Sequence, residues 1–225
     1  MSKGVFITAT GTDVGKTYIS GNLLRKLRKA GMKVGYFKAA LSGAIVGVEK
    51  ELIPGDAKYV YNMAGIEGDF NDSIPYILET ESSPHLAAQL EGVEINLKTI
   101  INHYENHSKQ YDFVLSEGSG GIVCPIYLQS EKIMLMDVIK GLNLEIVIVS
   151  DAGLGTINST MLTVEYARNH NIGIKGIILN NFDRDNFIHV DNLKVIKDFT
   201  GLQVYICETQ GEVEIKEEEL VKLFN

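Results

Sequence analysis

The chain has no tryptophan, only four prolines and only two cysteines among 225 residues. Cys124 and Cys207 stand far apart, with no CxxC pair and no Cys/His ligand spacing. That pattern excludes a disulfide framework and the usual zinc sites. Both cysteines read as small buried hydrophobes in a reducing compartment. No apolar run approaches the roughly 18 residues that a membrane-spanning helix needs. The first residues, Met1-Ser2-Lys3-Gly4-Val5-Phe6, lack the long apolar stretch of a secretory leader. The expectation is a cytoplasmic protein. Positive charge is also short: 21 Lys and Arg face 29 Asp and Glu, a net charge of −8. Such a chain is a poor partner for nucleic acid or an anionic membrane. Its one local basic group, Arg25, Lys26, Arg28 and Lys29, reads as the last turn of a helix, where cations complement the dipole. There is no Gly/Ser/Pro-rich linker, low-complexity run or repeat, so residues 1–225 are expected to form one domain.

What the chain does contain is alternation. Short apolar runs at 5–8, 33–37, 112–116, 145–150 and 174–179 read as strands. They lack clean polar–apolar alternation, as strands of a parallel sheet covered on both faces do. Helical patterns fall at 16–29, 56–63, 84–90, 97–108, 157–169 and 216–224. In the first of these, Ile19, Leu23 and Leu27 share a face at i, i+4, i+8. The order predicts an α/β fold, a doubly wound and mostly parallel sheet with helices on both faces. Ligands of such sheets bind beyond the carboxyl ends of the strands.

The first strand runs into Ala9-Thr10-Gly11-Thr12-Asp13-Val14-Gly15-Lys16-Thr17 and then a helix. Gly11 and Gly15 would let the backbone turn and approach a ligand closely. The loop N–H groups and the helix N-terminus would face an anion. Lys16 could reach β- and γ-phosphates, and the Thr17 hydroxyl could serve Mg²⁺. The strict GxxxxGK[ST] pattern is not met, because Thr10 stands where it requires glycine. A GKT tripeptide between an apolar strand and an amphipathic helix still points to a triphosphate-binding P-loop.

Three further segments put polar groups at strand ends or helix starts. Lys38 leaves the second strand ahead of Ser42-Gly43 and could hold a second anion, or lie at the surface. Asp56 opens a helix, where an N-cap would be reason enough for it. Glu117 ends a strand before Gly118-Ser119-Gly120-Gly121, and a carboxylate there can bind Mg²⁺ directly or through water.

With these residues in order, the chain resembles the dethiobiotin synthetases, ligases of the P-loop NTPase fold. The resemblance covers most of the chain. It rests on Thr10–Thr17, Lys38 with Ser42-Gly43, Asp56, Ser83-Pro84-His85 and Glu117–Gly121 with Pro125. It continues through Gly153-Leu154-Gly155-Thr156-Ile157-Asn158 and Asn180-Asn181. It implies that ATP drives the carboxylation of 7,8-diaminopelargonate by CO₂ and closure of the ureido ring, with Mg²⁺ as cofactor and a homodimer with the site at its interface. By position, Asp13, Val14, Gly15, Lys16, Thr17 and Tyr18 would bind nucleotide, with Gly118, Ser119 and Gly120 along the triphosphate. Thr17, Asp56 and Glu117 would hold Mg²⁺. Thr12 and Lys38 would bind a carbamate, Lys38 stabilising its transition state, and Ser42 would contact the diamine. Asn180, with Asn181, would read the base. Leu154, Gly155, Thr156 and Asn158 would bind the substrate carboxylate across the dimer; read alone, they are as well an ordinary helix start.

The chain departs from the family at Ala9, where glycine is common, at Ala39, where proline is common, and at Cys207-Glu208-Thr209-Gln210, where a Gly-x-Ile-Pro stretch usually lies beside the base. His85 is given no chemistry. The other reading is a partition or cell-division ATPase switch. It requires a second lysine five positions before Lys16, where this chain has Gly11.

Overall fold

The structure is a computed structural model and describes residues 3–225. Five of its strands are β1 (Lys3–Ala9), β2 (Val34–Lys38), β5 (Phe113–Glu117), β8 (Ile146–Asp151) and β9 (Ile174–Phe182). With β10 (Val204–Glu208) they form a sheet of order β10-β9-β8-β1-β5-β2, and every pairing in it is parallel. Two short antiparallel pairs lie outside it, β3 (Ile45–Val46) with β4 (Leu52–Ile53) and β6 (Pro125–Tyr127) with β7 (Ile133–Met134).

The continuous apolar strands have the expected cause. Along β1, Phe6 packs into one core while Val5 and Ile7 pack into the other; along β8, Ile146 and Ile148 part from Val147 and Val149 in the same way. Helices α1 (Lys16–Lys29), α2 (Gly55–Ala64) and α8 (Glu217–Phe224) cover one face through Leu23, Val60 and Phe224. Helices α3 (Pro84–Glu91), α4 (Leu97–Ser108), α5 (Leu135–Gly141), α6 (Thr156–Asn169) and α7 (Phe187–Thr200) cover the other. This is the predicted doubly wound α/β arrangement.

The basic group Lys26, Arg28 and Lys29 does occupy the last turn of α1, where Lys26 and Lys29, with Arg25, pair with Glu212. The C-terminal helix α8 buries Leu220, Leu223 and Phe224 against the core, so its apolar face is covered by the chain itself. No described helix is long and apolar enough to cross a membrane.

Candidate active site

The register of the sheet builds the centre of the site. Lys38 is the last residue of β2 and stands beside Glu117, the last residue of β5, while Ile7 of β1 pairs with Glu117 from the other side. The carboxyl ends of three neighbouring strands therefore place an ammonium and a carboxylate side by side beneath the glycine loop. Lys38 Nζ donates to Asp56 Oδ2 at 2.5 Å and to Glu117 Oε1 at 3.1 Å. Thr17 Oγ1 donates to Glu117 Oε1 at 2.9 Å and Ser20 Oγ to Glu117 Oε2 at 2.7 Å. Glu117 thus accepts from three side chains, Lys38, Thr17 and Ser20. The capping alternative for Asp56 fails, since the N-cap of α2 is Pro54 and the Asp56 carboxylate turns to Lys38.

The electrostatics follow from burial and pairing. Burial alone would depress Lys38, but Glu117 and Asp56 overcome it and hold its pKa well above the ordinary value. Burial would raise Asp56, yet Lys38 and then Lys16 keep its carboxyl below the usual range. Lys16 is buried with only the Gly11 carbonyl as acceptor, at 3.3 Å. Desolvation and then the charge of Lys38 lower its pKa. A buried cation whose nearest acceptor is a carbonyl is an anion-binding group awaiting its anion.

Above this cluster lies a cavity of about 870 Å³ lined by Thr12, Asp13, Gly15, Lys16, Thr17, Lys38, Ser42, Asp56, Glu117, Ser119 and Gly120. The loop that closes it uses Gly15 twice over. Its φ is +94°, and a Cβ there would stand 2.2 Å from Asn180 Nδ2. Gly11 needs no such freedom: its φ is not positive and a Cβ would meet nothing within 4 Å. Gly15 therefore carries the left-handed turn, while the open space at Gly11 leaves room for close approach; Asp13, at φ +59°, takes the second left-handed position. Ala9 ends β1 in the buried core with an extended backbone, which removes the objection to alanine there.

Several expected residues lie outside the cavity. Gly118 is buried, and a Cβ on it would stand 3.0 Å from Leu135 and Phe6, so packing by itself already calls for glycine there. The Tyr18 hydroxyl donates to the Gly211 carbonyl and faces away. Val14 accepts at its carbonyl from Asn180 Nδ2 at 3.0 Å, so Asn180 braces the loop. Asn181, also in the left-handed region, donates to Asp151. Leu154 and Asn158 are exposed at the start of α6, and Gly155 caps that helix at φ +90°. The Thr156 hydroxyl turns inward to Ser150 at 2.6 Å, which leaves only its backbone for a ligand. None of these four lines the cavity of its own chain.

The donor set fits Mg²⁺. Thr17, Asp56 and Glu117 carry hard oxygens in one hydrogen-bonded cluster with Lys38, and no group of three or more His, Cys, Asp or Glu side chains among the described residues is placed to hold a metal, so water and phosphate oxygens would have to complete the shell. Mg²⁺ sites commonly take one or two carboxylates and complete the shell with water and phosphate oxygens. Cys124 also lines the cavity, but burial pushes its thiol up to about 11, which leaves little thiolate for nucleophilic chemistry.

A family model described as an AAA domain matches residues 3–214. The ATP-dependent dethiobiotin synthetase BioD of Clostridium botulinum (strain Eklund 17B / Type B) is 48% identical over 226 residues, covering all of this chain and 99% of the relative. That of strain Alaska E43 / Type E3 is 49% identical with the same coverage. The chain belongs to the ATP-dependent dethiobiotin synthetase family. It is therefore a ligase, and its glycine loop is an ATP-binding P-loop. Among solved structures, a ParA family ATPase from Chlorobium tepidum TLS aligns with a TM-score of 0.56 at 12% identity, covering all of this chain and 91% of that one. The MinC:MinD cell division protein complex of Aquifex aeolicus aligns at 0.55 and 15%, covering all of this chain and 86% of that one. At such identities these likenesses show the fold alone.

Sequence reasoning missed Ser20 and Glu81. Ser20 follows Thr17 by three residues, so the helical period already places both on the face turned to Glu117. Glu81 lines the cavity from a segment with no regular pattern and gave no signal.

Proposed function

We propose that this dethiobiotin synthetase carboxylates 7,8-diaminopelargonate with CO₂ and closes the ureido ring, with conversion of ATP to ADP and phosphate. The observation that carries the reading is the pair of cavity lysines: Lys16 in the phosphate loop, and Lys38 fixed between Asp56 and Glu117. A nucleotidase needs a phosphate-holding cation; a second anion held beside the phosphates calls for another.

In this scheme one substrate amine adds to CO₂ and loses a proton, giving a carbamate. Thr12 and Lys38 bind that carbamate. A carbamate oxygen attacks the γ-phosphorus and ADP leaves, giving a carbamic–phosphoric anhydride. The second amine attacks its carbonyl carbon, phosphate leaves with the carbamate oxygen, the amine proton is lost and the ring is closed. Lys16, with the backbone of Asp13–Tyr18 and with Ser119-Gly120, holds the triphosphate. Thr17, Asp56 and Glu117 would hold Mg²⁺, which would neutralise phosphate charge. Asn180 and Asn181 border the base. The chemistry rests on positioning and charge, and it needs no nucleophilic side chain.

The start of α6 supports a homodimer. Leu154, Gly155, Thr156 and Asn158 lie outside their own cavity, and an exposed helix N-terminus suits a carboxylate presented by the substrate of a second copy. Phosphate release from ATP should require both the diamine and bicarbonate. Release that ignores the diamine would overturn the ligase scheme.

A further inference from the structure

Six charged side chains line the cavity: Asp13, Lys16, Lys38, Asp56, Glu81 and Glu117. Asp56 and Glu117 are engaged by Lys38, and Asp13 and Lys16 belong to the glycine loop. Glu81 belongs to neither group. It is exposed, and its carboxylate has no ion-pair partner among the described residues.

The position of Glu81 is nevertheless fixed. Residues 41–44 run beside 76–80 through Leu41 N to Tyr76 O at 2.9 Å, Leu78 N to Leu41 O at 2.8 Å, Ala44 N to Leu78 O at 3.0 Å and Gly43 N to Thr80 O at 3.1 Å. The Ser42 hydroxyl then donates to the Ser82 carbonyl. Glu81 sits between these anchors, laid over Gly43, where an added Cβ would be 3.4 Å from its Cγ. The result is an unpaired carboxylate on a pinned backbone, next to Ser42 in the cavity wall.

The charges of the proposed substrate make that carboxylate useful. At neutral pH a vicinal diamine carries at least one ammonium group, and it enters a cavity that already holds Lys16 and Lys38. Like charges repel, and the two innermost carboxylates are already spent on Lys38. We infer that Glu81 is a specificity-determining residue that receives the ammonium of the second amine, the one not carboxylated, and so favours diamines over monoamines. This rests on the diamine reading above. The contact is one of binding, not of proton transfer: it holds the ammonium at the solvent-open side of the cavity, and the amine gives its proton to solvent before it attacks, so Glu81 acts on affinity and not on the ring-closing step.

The test compares the wild-type enzyme with Glu81→Gln and Glu81→Asp, using the diamine and its two monoamino analogues. Wild type and variants should melt alike, since Glu81 has no partner to lose. Glu81→Gln should raise the KM for the diamine by roughly 1.5- to fivefold, the range of a solvent-exposed ion pair. It should leave kcat and the KM for ATP unchanged. Glu81→Asp should recover part of the loss, and added salt should narrow the gap between wild type and Glu81→Gln. Calorimetric binding with a non-hydrolysable ATP analogue should show the preference for diamine over monoamine shrinking in Glu81→Gln. An unchanged diamine KM in Glu81→Gln, or an unchanged diamine-to-monoamine ratio, would overturn the inference while leaving the function standing. Failure of the wild type itself to consume the diamine would instead remove the reading on which it rests.

Discussion

Replacing Lys38 with alanine separates its structural role from its chemical one. The ammonium lies 2.5 Å from Asp56 and 3.1 Å from Glu117, and its side chain is 6% exposed. Without it, Glu117 remains fully buried with only the Thr17 and Ser20 hydroxyls for company. Removing one member of a buried pair leaves an uncompensated charge and destabilises by about 3–5 kcal/mol. Asp56 is 40% exposed, so solvent screens part of the loss and the lower end of that range applies. For a chain of this length, about 3 kcal/mol lowers the melting temperature by roughly 6–12 °C. Melting followed by calorimetry in chelator should show this fall. Adding Mg²⁺ should recover more in the variant than in the wild type, because a divalent cation between Asp56 and Glu117 restores the missing charge. Nucleotide affinity should stay close to the wild-type value while turnover is lost. A variant that melts like wild type in chelator, or that gains nothing extra from Mg²⁺, would refute this reasoning.

Other outcomes follow from the same geometry. Gly15→Ala must hold a left-handed backbone, which costs about 1–2 kcal/mol, and must push Asn180 off the Val14 carbonyl. Calorimetric titration should show nucleotide binding lost, and Asn180→Ala in the same chain should relieve the clash but not the backbone strain. Glu117→Gln should weaken the Mg²⁺ dependence of turnover, seen as a rightward shift in an Mg²⁺ titration; an unmoved curve would remove Glu117 from the metal site. Lys16 has its pKa depressed, so its positive charge is lost as pH rises at a lower pH than for a free lysine. ATP binding favours the charged form, so affinity should fall with rising pH below the ordinary lysine value of 10.5. Calorimetry in buffers of different ionisation enthalpy should then register proton uptake. Phe224→Ala removes a fully buried ring packed edge-on to Phe113 at 5.6 Å and should destabilise by about 3–5 kcal/mol in a denaturant titration.

The parts of the fold legible in the sequence are those with strong local causes. The strands β1, β2, β5, β8 and β9 are continuous apolar runs because both faces of the sheet are covered. The misses have equally local reasons. The helix α5 is only seven residues long and gives too few turns for a period to emerge. In α7, Phe187 and Phe199 are exposed while Ile196 is buried, so apolar residues point both ways and blur the stripe. The edge strand β10 carries Cys207-Glu208, which in the sequence looked like a departure beside the base and in the fold is strand end, with the Cys207 thiol buried.

The site shows the same division. Lys16, Thr17, Asp56 and Glu117 were readable because the chemistry of each agrees with its place at a helix start or strand end. Lys38 was read as leaving its strand, but it is the strand's last residue, and only sheet register pairs it with Glu117. The packing of Gly118 was not legible because glycine looks alike in sequence whether it admits a ligand or the side chains of Leu135 and Phe6. The turned-away Tyr18 and the inward Thr156 hydroxyl are orientations that spacing does not encode.

The most direct test supplies ATP, Mg²⁺, 7,8-diaminopelargonate and bicarbonate labelled with ¹³C and ¹⁸O, and analyses both products by mass spectrometry. One ¹³C is expected in the ring carbonyl of dethiobiotin and one bicarbonate-derived oxygen in each phosphate released, because the carbamate oxygen departs with the γ-phosphorus. Phosphate free of that label, or a ring formed without ATP cleavage, would contradict the scheme.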